Sequence, residues 1–137
     1  GVIPSSNSIL ANSLFKLGHY FSETKYVKTS EQMLNNLQED IKKYPANYTN
    51  WLSVMTNYTK PFYEIVVAGK NAETVNKKLL SYYLPNIVIA GTKKENSSIP
   101  LLSYKYNEDK TLIYVCVNGT CKLPQKEVGI ALKTINK

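Results

Sequence analysis

The hydrophobic pattern changes period once, at Lys60-Pro61, and that change limits the folds open to this chain. Before it, Tyr48, Trp51, Leu52, Met55 and Tyr58 recur at three- and four-residue steps, as on one face of an amphipathic helix. After it comes Phe62–Ala68 (FYEIVVA), β-branched and aromatic, bounded by Pro61 and Gly69, which reads as a buried strand. The chain thus divides into a helical segment, residues 1–60, and a small α/β segment, residues 61–137. At 137 residues it is long enough to bury a real core.

In the helical segment, Pro4–Phe21 reads as a first helix, with proline and several capping residues at its entry. Leu10, Leu14, Leu17 and Phe21 share one face and form its expected inward stripe. Ser22-Glu23-Thr24 caps a second helix running to about Lys43, with Tyr26, Ser30, Met33, Leu34, Leu37 and Ile41 inward. The short link between them predicts an antiparallel helical hairpin, and Tyr44-Pro45 separates it from the third helix.

In the second segment, Asn71 is placed to cap a helix over Ala72–Tyr83, which Leu84-Pro85 stops. Asn86–Ala90 is then a second buried strand, and strand, helix, strand at this spacing predicts a parallel crossover. Gly91–Pro100 is a polar loop, Thr111–Val117 a third strand, and Pro124–Ile135 a closing helix. The expected class is α/β (α+β overall), with a three-strand, mostly parallel sheet in the order β-α-β-β-α, covered on both faces because two strands are apolar throughout.

Net charge is +7, which invites a nucleic-acid reading. All 17 basic residues are Lys, however, and they cluster at most in pairs, so the guanidinium fork that reads base edges and phosphates is missing. No nucleic-acid partner is expected. Apolar runs such as Ile65–Ala68 and Ile87–Ala90 are far too short to span a bilayer, so no membrane partner is expected either. The chain opens Gly1-Val2-Ile3-Pro4 with no basic-then-apolar leader. It reads as a cytoplasmic piece of something longer.

Tyr114–Pro124 (YVCVNGTCKLP) holds both cysteines around an Asn-Gly turn signal. A hairpin there would bring Cys116 and Cys121 within disulfide reach. Three states stay open for the pair. Packed thiols are favoured, because free Cys is a buried residue type and no His or cationic cluster beyond Lys122 is near to activate a thiolate. A structural disulfide is the second, and a redox or metal site the third. The spacing is not C-x-x-C, and two ligands without a nearby His hold no metal well, so neither metal nor cofactor is expected.

Ser5 and Asn7 stand where the first helix begins, where free N–H groups can meet a ligand; plain capping is the commoner role. His19, the single histidine, follows Gly18 near a helix end and has no evident acid–base partner. Glycoside cleavage needs two facing carboxyl groups. Glu39-Asp40 and Glu108-Asp109 are sequence neighbours at a helix end and a turn, and Glu64, alone in an apolar strand, is expected at a strand edge facing water. Eleven tyrosines and Trp51 could line a sugar platform, but Tyr26, Tyr48, Trp51 and Tyr58 fall on helical core stripes, where core packing is the ordinary role.

With those residues in place, the chain resembles the carboxy-terminal part of the YyaL and spermatogenesis-associated protein 20 family. These are large proteins with a thioredoxin-like domain followed by a six-hairpin, glycosidase-like helical toroid. Ile3–Leu17 (IPSSNSILANSLFKL), Ile65–Gly69 (IVVAG), Tyr83-Leu84-Pro85-Asn86 with its following strand, and Tyr114–Pro124 carry the resemblance, in order along nearly the whole chain. It implies the end of an (α/α) toroid plus an appended α/β segment, and a carbohydrate-related role by analogy of fold. The expected function is that of a non-catalytic terminal fragment partnered by the rest of its parent chain. Its exposed helical face would also allow a homodimer, and Ser5 and Asn7 are its candidate carbohydrate contacts. A redox module using Cys116 and Cys121, or a stand-alone binding domain, is the alternative.

Overall fold

Ser5 starts the first helix by accepting, through its hydroxyl, the N–H of Ser8 at 3.2 Å. The computed structural model describes residues 4–95 and 97–135; Ile3, heading the IPSSNS stretch, and Asn96, inside the polar loop, lie outside them. The described chain forms two compact units, Gly1–Pro61 and Phe62–Lys137.

The first unit is helical. α1 covers Ser6–Phe21, α2 Thr24–Asn35, α3 Gln38–Lys43 and α4 Thr49–Thr59, with a short 3-10 turn over Pro45–Tyr48. Ser22, in the left-handed region at φ 54°, turns the chain from α1 into α2, and its N–H closes on the carbonyl of Gly18. The hairpin is therefore present, but α1 is rotated from the expected orientation. Its buried face is Ser8, Ala11, Phe15 and Gly18, whereas Leu10, Leu17 and Phe21 are about half exposed. Small residues win that face because α2 and α4 approach closely: a Cβ on Gly18 would meet the Val27 side chain and backbone. Polar links seal the contact, Asn50 Nδ2 donating to Ser8 Oγ at 2.7 Å and Asn57 Nδ2 to Asn12 Oδ1 at 3.4 Å. Phe15 meets Tyr58 edge to face at 4.9 Å, and Ala11, Leu34, Ile41, Trp51 and Val54 form the core. The single long second helix is broken at Asn36-Leu37. Leu37 leaves the helical backbone there, at φ −114° and ψ 3°, while Gln32 Nε2 donates to Asn36 Oδ1 and Gln38 Nε2 to Asn35 Oδ1 on either side of the break.

The second unit is a mixed four-stranded sheet in the order β2-β1-β3-β4, with β1 Tyr63–Ala68, β2 Ile87–Thr92, β3 Leu112–Val117 and β4 Thr120–Cys121. β1 and β2 run parallel, joined through α5 (Ala72–Leu80). β3 runs antiparallel to β1, so the sheet is mixed, not mostly parallel. Ile65 and Val67 of β1, with Ile113 and Val115 of β3, pack on Leu79 of α5 and on Val128, Ala131 and Ile135 of α6 (Val128–Ile135). Val66, Ala68 and Val88 alternate to the other face and are buried as well, and the turn over Pro100–Leu102 packs against β1 and β2.

The closing helix starts later than its proline suggests, because the stretch before it is held as sheet. Ile113 and Gln125 exchange both backbone hydrogen bonds, at 2.7 and 2.8 Å. Between that pair and the Lys122 N–H on the Val115 carbonyl, Leu123 and Pro124 oppose Tyr114 alone, which makes a β-bulge.

Candidate functional site

The hairpin of β3 and β4 brings the two cysteines together. Its two-residue turn has both central residues at positive φ, Asn118 at 51° and Gly119 at 75°, the combination whose twist matches that of the flanking strands. Cys116 then lies directly opposite Cys121, and the two are joined as a disulfide. The favoured reading of the sequence, packed thiols, is thus replaced by a bond, because the turn fixes the register that puts the two Cβ atoms face to face. Cys116 is 1% exposed, whereas Cys121 lies on the exposed end strand.

Glu64 pairs with Cys116 across β1 and β3 and is 7% exposed. The expected water-facing strand edge is therefore wrong: β1 is interior to the sheet, with β2 on one side and β3 on the other. Lys105 reaches the same neighbourhood. Burial pushes its ammonium group down, the Glu64 charge works against that, and its Nζ donates to the Leu101 carbonyl at 2.9 Å.

Ser5 and Asn7 are both exposed at the start of α1, Ser5 engaged as a cap. His19 is half-buried, its ring 4.6 Å from that of Phe15. Tyr58 donates to the Val27 carbonyl at 3.1 Å, and burial raises its pKa, opposed by the Ser30 hydroxyl and reinforced by the Glu31 charge. His19 and Tyr58 thus both pack on Phe15, whereas Ser5 and Asn7 face outward. Glu39-Asp40 and Glu108-Asp109 remain exposed, at the start of α3 and in a turn. Among the described residues, no group of three or more His, Cys, Asp or Glu is arranged to hold a metal ion. No helix among them is long and apolar enough to cross a membrane.

One feature escaped the sequence reading. A groove of 280 Å³ lies between α5 and the end of β2, lined in part by Glu73, Asn76, Lys77, Gly91 and Lys93. Glu73 there takes Lys93 at 2.6 Å and Lys77 at 3.1 Å. Hydrogen bonds from Lys93 and then Lys77 lower its pKa to about 2. Only the i,i+4 step from Glu73 to Lys77 could have signalled this in the sequence. Because the folded pKa lies below the unfolded one, the contribution is present above the ordinary carboxylate range and is lost as pH falls toward 2. A carbon-detected NMR titration should place the Glu73 midpoint well below those of the other glutamates, and Lys93→Ala or high salt should move it up. A midpoint unmoved by both would show that the ion pairs do not set it.

No family model and no solved structure matches the chain. Two curated proteins do: spermatogenesis-associated protein 20 of Homo sapiens and that of Mus musculus, each 25% identical over 90% of this chain. The chain spans only 17% of the length of these relatives, to which it bears a distant similarity along most of its own.

Proposed function

We propose that this chain is the carboxy-terminal, non-catalytic portion of a longer protein with a glycosidase-like helical toroid, in which α1 to α4 close the toroid. The observation that carries this reading is the comparison of lengths: nine-tenths of this chain is matched, but only 17% of its relatives. The apolar stripe of α1 supports it, with Leu10 50%, Leu17 41% and Phe21 46% exposed, a face suited to covering by further helices. Those helices of the parent chain are the proposed partner; without them, a second copy of this chain would meet the same face. Ser5 and Asn7, at the first turn of α1, are the proposed contacts to a carbohydrate at the toroid rim. An immunoblot of the source cells with antibody to this chain tests the reading. A band several times heavier than 15.5 kDa is expected, and one at 15.5 kDa overturns it.

A further inference from the structure

We propose that Cys116 and Cys121 form a reversible two-electron couple, opened at Cys121 by an external dithiol. The two sulfurs are unequally placed. Cys116 is 1% exposed within β3, whereas Cys121 sits on the exposed two-residue β4, so an incoming thiolate meets Cys121 first.

The hairpin does not need the bond to stay closed. The Asn118-Gly119 turn holds one end, and the Lys122–Val115 and Ile113–Gln125 backbone bonds hold the other. A bridge across only four intervening residues also removes little freedom from the unfolded chain, which places its contribution to stability at the low end for disulfides. Breaking it therefore leaves the two thiols opposite each other, ready to close again.

In the forward step, one thiolate of the external dithiol attacks Sγ of Cys121. The Cys116–Cys121 bond breaks, and Sγ of Cys116 leaves with the electron pair and takes a proton. The second thiol of the reductant then attacks its own sulfur in the mixed disulfide and releases Cys121. The dithiol ends as its disulfide, having given two electrons and two protons to the pair. Both cysteines of the chain are in this bond, so no other thiol of these 137 residues can divert the exchange. In the reverse direction Cys116 acts as the resolving thiol for any mixed disulfide formed at Cys121.

The test uses the chain in dithiothreitol redox buffers, with alkylation trapping and intact-mass readout. One transition from no alkyl group to two is expected, with the amide signals of β1 and β3 kept in the reduced form. Under native conditions the single thiol of Cys116→Ser should react with an aromatic disulfide about tenfold or more faster than that of Cys121→Ser, since exposure governs access. Equal rates overturn the proposal. Should either variant fail to fold, the unaltered chain decides. A reduction rate first order in dithiothreitol and indifferent to low urea supports entry at Cys121; a rate that levels off at the unfolding rate overturns it.

Discussion

Gly69→Ala is expected to cost the α/β unit about 3 kcal/mol or more, a large share of the stability of an ordinary domain. Gly69 ends β1 at φ 137°, a conformation that side chains rarely adopt. A Cβ there would also lie 2.5 Å from the Thr111 Cα and 2.6 Å from the Lys110 carbonyl oxygen, backbone atoms that cannot swing aside. Strain and overlap act together, so the effect should exceed either alone. Gly129→Ala is the control. That position lies in α6 with open space around it, so alanine should stabilise the helix by about 0.5–1 kcal/mol. Hydrogen exchange of the β1 and β3 amides reads out both variants. A Gly69→Ala protein as protected as its parent would sink this account of the β1 terminus.

The second large effect lies in the helical unit. Phe15→Ala should cost about 3–5 kcal/mol, because it empties a 2%-exposed site and removes the ring contact to Tyr58. Leu10→Ala should cost less than about 1 kcal/mol in this 137-residue chain, since half of Leu10 is already in water. Urea unfolding followed by the fluorescence of Trp51, which sits in the same core, separates the two. Equal losses would mean that α1 presents the face its leucines suggest. Within a longer toroid protein the ranking would tighten, because Leu10 would gain neighbours.

That contrast shows where the sequence is legible and where it is not. The switch at Lys60-Pro61, the first three strands to within a residue or two, and the Trp51–Tyr58 stripe all follow from periodicity and from proline and glycine punctuation. The rotation of α1 does not. Periodicity points to the largest apolar residues, while close helix packing at Gly18 and the Ser8–Asn50 bond select small and polar ones. The direction of β3 is equally unreadable, since a strand has the same residue pattern whichever way it runs and the loop before it is long enough for either. Glu64 misleads for a related reason. A lone carboxylate in an apolar strand signals an edge, and only the fold brings Lys105 into its neighbourhood. In the site, the Asn-Gly turn announced the hairpin; the bond between Cys116 and Cys121 needed the register to decide it.

The bulge at Leu123-Pro124 has a further consequence for self-association. A free sheet margin is a template on which a neighbouring molecule can lay down its own strand. Beyond β3, this sheet ends in two residues of β4 followed by a bend and a proline that offers no N–H. Such a margin is too short and too kinked to seed strand addition from another molecule. The hairpin therefore guards that side of the sheet against aggregation whether its cysteines are joined or not.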